Sequence, residues 1–270
     1  MVTESTKDEM PVVNVLGSHV PVVELDDALN RMEALIAKRD GICRHVINTG
    51  FHGIWEGHNR PEFGEVLNAA DFWVPDGIAV SLIARAHGHR MPRIGGPEFV
   101  EAFLERADQK NYRSFFFGET PETLESLETV LKRKYPGHEI VGTFSPPFRQ
   151  PTEEEDEEHV RMINESGADV LWVALGCPKQ EQWIYDHSDR LTVPVAVGIG
   201  AIFGFLSGTV KHAPLWIGNL GFEWAYRVLK EPKKCWRRSF VQGPQFVTHV
   251  LMELAGIKKY EKEDEAKSSD

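Results

Sequence analysis

Apolar positions recur along the chain at two periods, and segments of one kind alternate with segments of the other. Leu25, Ala28, Leu29, Met32, Leu35 and Ile36 share one face of a helix over 25–38, the 3.6-residue repeat of an amphipathic helix. Cys43–Thr49, Phe72–Pro75, Arg113–Phe117, Glu139–Phe144, Val170–Leu175 and Val193–Val197 are instead short runs ended by glycine, proline or charge, as strands read. Between them the spacing predicts helices near 62–69, over 78–87 with Ala79, Leu82, Ile83 and Ala86 inward, over 97–108, 120–134, from Glu153, and from Gln180 to about Asp189. Thr120 before Pro121 and Thr152 before an acidic turn mark two helix starts. Val12–Leu16 and Val20–Val23 read as short strands around Gly17, and Gly50-Phe51-His52-Gly53 as the connection after a strand. Strands alternating with helices predict an α/β fold, a Rossmann-like, mostly parallel sheet flanked by helices. The alternation stops near Thr209. Residues 11–208 are therefore expected to form the Rossmann-like core and 209–257 a helical, basic C-terminal appendage, with helices over 218–229 and 240–254. Residues 1–10 and 258–270 read as disordered ends.

Charge sharpens this picture. The 270 residues carry a net charge of -11 at pH 7, which argues against a nucleic-acid partner. Within that acidic chain Lys211, His212, Arg227, Lys230, Lys233, Lys234, Arg237 and Arg238 form a basic cluster interleaved with Trp216, Trp224, Tyr226 and Trp236. Basic residues among aromatic rings suit a bilayer headgroup region or a lipid diphosphate. A helix with a solvated basic face and core aromatics is the other reading. Cys43, Cys177 and Cys235 are far apart with no Cys-x-x-Cys pair, which suits a reducing cytosol and argues against structural zinc. The first ten residues carry no apolar signal core, and the longest apolar stretch, Val193–Leu206, is short for a membrane span and holds three glycines. A soluble protein with peripheral membrane contact is expected.

The candidate chemistry centres on Gly176-Cys177-Pro178-Lys179-Gln180-Glu181, directly after the apolar run 170–175. This places Lys179 and Gln180 past the C-terminal end of a buried strand, where open α/β sheets bind ligands. N–H groups of the next helical turn would favour an anion there; a solvated polar loop is the plain alternative. Asp76, between Pro75 and Gly77 at a strand-to-helix junction, reads as an N-cap or as a general base at the ligand edge, and the two are compatible. Arg90, Arg93 and Lys179 are candidates to neutralise a diphosphate. The run from Gly198 through Gly200 to Gly204 follows a strand. It is one residue too long for a dinucleotide fingerprint and reads as a turn that lets a ligand approach the backbone. An NAD-type oxidoreductase stays as an alternative. His87 and His89 have no acidic or thiol partner nearby, and the chain has no Asp-x-Asp pair and no Walker loop. Neither a metal nor a cofactor is expected.

Together these segments resemble the WecG/TagA/CpsF family of bacterial glycosyltransferases over roughly 12–246. The resemblance rests on Gly176-Cys177-Pro178-Lys179-Gln180-Glu181, the run Gly198–Gly208, Ala213-Pro214 and Gly221-Phe222-Glu223-Trp224-Ala225-Tyr226-Arg227, with Asp76-Gly77 and Arg93-Ile94-Gly95-Gly96 before them. It implies inverting, metal-independent transfer of a sugar from a UDP-sugar to a polyprenyl-diphosphate-linked saccharide in cell-surface polysaccharide synthesis. The expected location is the cytoplasmic face of the membrane. It implies Asp76 as general base. Asn48, Thr49, Arg93, Gly95, Gly176, Lys179, Gln180 and Gly200 would surround the donor. Lys211, Arg227, Arg237 and Arg238 would engage the acceptor's lipid diphosphate. Three positions depart from the usual family pattern: Gly50 beside Asn48-Thr49, Gly204 in Phe203-Gly204-Phe205, and His212 before Ala213-Pro214. The donor is accordingly left as a UDP-N-acetylhexosamine, UDP-hexose or UDP-hexuronate. A non-catalytic relative that binds sugar nucleotides, and a homo-oligomer, stay open.

Overall fold

The computed structural model describes residues 10–210, 223–230 and 232–260. Lys211, most of both predicted disordered ends and the first residues of the predicted helix over 218–229 lie outside them. The chain opens with a hairpin of β1 (Val12–Val15) and β2 (Ser18–Pro21), antiparallel around Leu16-Gly17. Helix α1 (Leu25–Lys38) follows and buries Ala28, Leu29, Met32, Leu35 and Ile36. Next come β3 (Arg44–Thr49), α2 (Phe51–Asn59), α3 (Pro61–Ala69), β4 (Phe72–Pro75), α4 (Ile78–Ala86) and α5 (Gly96–Lys110). The chain continues through β5 (Arg113–Gly118), α6 (Pro121–Lys134), β6 (Glu139–Phe144), α7 (Glu153–Glu165), β7 (Val170–Ala174), α8 (Lys179–His187), β8 (Val195–Gly198) and α9 (Ile202–Leu206). The C-terminal part is α10 (Glu223–Lys230), α11 (Pro232–Arg237), a π-turn (Arg238–Gln242) and α12 (Gly243–Leu254).

One six-stranded sheet, order β4-β3-β8-β7-β5-β6, is parallel throughout. Its two middle strands, β8 and β7, carry no polar side chain because both faces are covered. In β7, Val170, Trp172 and Ala174 join a core with α1, α5 and α6, while Leu171 and Val173 join one with α7 and α8. Phe116 and its neighbours Phe115 and Phe117 divide in the same way in β5. A third core, with Ile47, Ile54, Trp55, Phe63, Trp73 and Val80, is closed by Phe246 and Val250 of α12. The C-terminal helix is tied to the hairpin and to α2 as well: the Glu253 carboxylate accepts the Leu16 N–H at 3.0 Å, and the rings of His58 in α2 and His249 approach at 3.1 Å.

Two sequence expectations are corrected here. Helix α2 was not foreseen, because Gly53 and Gly57 break its propensity. Both glycines are contact points: a Cβ would stand 2.4 Å from Thr49 Oγ1 at Gly53 and 2.7 Å from Leu67 Cδ1 at Gly57. Helix α4 turns a different face inward, burying Val80, Ser81, Ile83 and Ala84 and leaving Leu82 53% exposed. Its apolar residues cover more than one face, so neighbours decide: the hairpin residues and Met91 take Val80 and Ala84.

His45 in β3 is buried with neither ring nitrogen hydrogen-bonded, and burial pushes its pKa down to about 3. The folded chain therefore refuses a proton that the unfolded chain accepts near pH 6.5. Stability from this group is full above about pH 6.5 and is lost as pH falls towards 3, at up to ~1.4 kcal/mol per pH unit. His45→Leu is expected to hold its Tm better than wild type at each step from pH 6.5 to 4. A wild-type-minus-variant difference that does not change with pH overturns this.

Candidate active site

Sheet order brings distant segments to one edge. The strands β4, β3, β8 and β7 are neighbours, so the loops leaving their C-terminal ends lie side by side. These loops begin at Asp76, Gly50, Ile199 and Leu175. Backbone bonds lock them together: Asp76 N–H donates to Thr49 O at 2.9 Å, Gly77 N–H to Ile94 O at 2.9 Å, and Ile199 N–H to Val173 O at 2.9 Å.

Asp76 is half-buried at this junction, and its Oδ1 accepts the Gly96 N–H at 2.8 Å. The N-cap position of α4 is Gly77, the residue after it. The Asp76 carboxylate meets the first residue of α5, a helix of 15 residues. Gly96 makes room for Asn48 and Ile202 rather than for Asp76. A Cβ there would stand 2.7 Å from Asn48 Oδ1, 2.9 Å from Ile202 Cδ1 and 3.7 Å from Asp76 Oδ1. Asn48 is buried, its amide donating to Val74 O at 3.2 Å. Thr49 is also buried, but its side chain packs beneath Gly53 of α2. Arg93 forms an ion pair with Glu98, whose other oxygen accepts the Gly95 N–H at 3.2 Å. Gly95, Arg93 and Glu98 thus hold the loop that supplies Gly96. Arg90 is exposed.

Further along the same edge of the sheet Lys179 is exposed at the start of α8, after Gly176 with φ +81°. Gln180 is buried; its Oε1 accepts the Gly176 N–H at 3.1 Å and its Nε2 donates to Glu181 Oε1 at 2.9 Å. The glycine-rich turn after β8 is read differently once folded. A Cβ on Gly198 or Gly200 would meet the Gln180 side chain, at 3.0 Å and 3.3 Å. These two glycines make room for Gln180. Gly204 is a packing position too, with Val210 Cγ2 at 2.9 Å from a Cβ. Burial raises the Glu181 pKa to about 7, and burial, with Glu181 beside it, raises the Cys177 thiol well above its usual value.

The C-terminal residues divide. Arg238 is half-buried with its guanidinium 5.0 Å from the Phe51 ring centre. Arg237 is exposed. The side chain of Arg227 lies outside the described residues. Among the described residues no group of three or more His, Cys, Asp or Glu is placed to hold a metal ion.

Sequence reasoning passed over Gly96, Glu98 and Glu181 as site residues. Signals existed for all three: Gly95-Gly96-Pro97-Glu98 is a helix start with proline early and glutamate at the third position, and Glu181 lies inside the central motif.

The model of the glycosyl transferase WecG/TagA/CpsF family matches residues 13–260. An N-acetylglucosaminyldiphosphoundecaprenol N-acetyl-beta-D-mannosaminyltransferase of Bacillus spizizenii is 37% identical over 198 residues, which is 73% of this chain and 74% of that protein. A protein of the same name from Bacillus subtilis is 30% identical over 201 residues, 74% of this chain and 75% of its own length. With the family match running from the hairpin to the end of the described C-terminus, the chain belongs to the WecG/TagA/CpsF family of glycosyltransferases.

Proposed function

We propose that this protein transfers a sugar from a UDP-sugar to a polyprenyl-diphosphate-linked saccharide with inversion and without a metal, Asp76 being the general base. The observation that carries the reading is the Asp76 carboxylate, held by the Gly96 N–H where adjacent strand ends meet. The acceptor hydroxyl gives its proton to Asp76 as its oxygen attacks the anomeric carbon. The bond from that carbon to the UDP oxygen breaks, and UDP leaves with the electron pair. Arg93, Lys179 and N–H groups of the adjoining helix starts are the groups available to meet the diphosphate charge. The sequence supports that division of labour, since it has no Asp-x-Asp pair of the kind that holds a divalent ion.

The acceptor reading rests on the names of the two Bacillus relatives, which specify an N-acetylglucosaminyl-diphosphoundecaprenol acceptor. They also make UDP-N-acetylmannosamine the first donor to try. The C-terminal surface supports docking to the cytoplasmic face of a membrane. Trp224, Trp236 and Phe240 are each about half exposed, with ring centres 6.1 and 6.3 Å apart around Phe240. Lys230, Lys233 and Arg237 are exposed around them. Rings and cations in that mixture suit a headgroup layer, and Arg237 and Arg238 suit a lipid diphosphate. Among the described residues no helix is long and apolar enough to cross a membrane.

Calorimetry with UDP, UDP-N-acetylmannosamine, a UDP-hexose, a UDP-hexuronate and NAD, each with and without magnesium, tests the donor half. Binding of UDP and one UDP-sugar without magnesium is expected. Binding of NAD alone sinks the transferase reading, and UDP-sugar binding without turnover on a polyprenyl-diphosphate acceptor sinks the catalytic one.

A further inference from the structure

Glu181 is fully buried; the Cys177 thiol lies within its reach, and its Oε2 makes no hydrogen bond of ordinary geometry. A carboxyl in that condition costs stability, so a reason for it should be visible nearby. Its other oxygen accepts the Gln180 Nε2–H at 2.9 Å. The far end of the same amide accepts the Gly176 N–H at 3.1 Å. An amide can be rotated end for end with little change of shape. Here rotation is blocked twice: the amide oxygen would face the Glu181 oxygen, and the NH₂ would face the Gly176 N–H. Gln180 also fills the space left by Gly198 and Gly200. One ordered amide therefore touches both loops, the one that carries Lys179 and the one that carries Gly200.

We propose that Glu181 is a positioning residue for the transfer site: it fixes the orientation of the Gln180 amide, and through that amide the Gly176–Lys179 loop and the Gly198–Gly200 turn. The oxygen that accepts from Gln180 is the working part: an apolar residue would leave the buried NH₂ without that partner and the amide held by the Gly176 N–H alone. Burial raises the carboxyl's pKa to about 7, and either protonation state keeps an oxygen that accepts from Gln180. The link to transfer rests on the donor lying at this edge, as proposed above.

Five proteins test it: wild type, Glu181→Gln, Glu181→Leu, Gln180→Ala and the Gln180→Ala/Glu181→Leu double variant that completes the cycle. Two quantities are read, the UDP dissociation constant by calorimetry and the Gln180 side-chain NH₂ signal in ¹⁵N-glutamine-labelled protein. Glu181→Gln keeps an acceptor and is expected to bind UDP like wild type with a slowly exchanging Gln180 signal. Glu181→Leu is expected to weaken UDP about tenfold or more and to lose that signal, while adding nothing in the Gln180→Ala background. If Glu181→Leu does not fold, Glu181→Asp, one methylene too short to reach Gln180, replaces it. Losses that add in the double variant, or a lower Tm with UDP affinity and the amide signal unchanged, overturn the proposal. If wild type binds no UDP, the donor reading falls, and the amide signal alone still decides whether Glu181 orders Gln180.

Discussion

Asp76→Asn is expected to lower sugar transfer by about 10²–10⁴-fold, the span typical of a lost general base, and to leave UDP affinity and Tm unchanged. The reason lies in the hydrogen bond that holds the side chain. Asparagine keeps an Oδ1 that can accept the Gly96 N–H now 2.8 Å from the carboxylate, so the junction of β4 with α5 stays intact. What it loses is the capacity to take a proton from the acceptor hydroxyl. Turnover on a polyprenyl-diphosphate acceptor and calorimetry with UDP should be run on the same preparation. Near-normal turnover would remove Asp76 from the base role. A parallel loss of UDP affinity would assign it to donor binding instead.

Gly50→Ala should be nearly as damaging, for a steric reason. A Cβ at Gly50 would stand 2.1 Å from the Asp76 carbonyl oxygen and 3.1 Å from its carbonyl carbon. Ordinary contact is about 3.5 Å, so the Asp76 backbone must retreat by roughly 1 Å, a displacement that can cost about 10²-fold in rate. The same retreat loosens the 2.9 Å bond from Asp76 N–H to Thr49 O, so Tm should fall as well. The departure from the family pattern at Gly50 thus has a structural use here: it seats the strand end that carries Asp76. A Gly50→Ala protein with wild-type turnover and Tm would show that the loop moves aside without consequence.

The elements that sequence alone revealed are those whose burial has a single period. Helix α1 runs over the predicted 25–38 because five inward residues repeat on one face and α1 meets the sheet along that face. β7 was legible as a strand because both of its faces are apolar. The central motif and Asp76 could be placed at strand ends for the same reason, since glycine or proline stops each run. Helix α2 was hidden because its glycines lower helix propensity locally and earn their place only against Thr49 and Leu67. The inward face of α4 was misjudged because its apolar residues cover more than one face.

What the sequence by itself determined, then, was the α/β alternation, the strand-end positions of the motif residues, and the family. Tertiary structure alone decided which strand ends became neighbours. Asn48, Asp76 and Gly200 are scattered over more than half the chain, and only the order β4-β3-β8-β7 gathers their strand ends at one edge. It also decided what each glycine is for: Gly96 admits Asn48 and Ile202, and Gly198 and Gly200 admit Gln180. Periodicity is a property of one segment and its solvent, whereas a site is made by approaches between segments. Those approaches depend on sheet order and on which side chain is missing, and neither leaves a repeat along the chain.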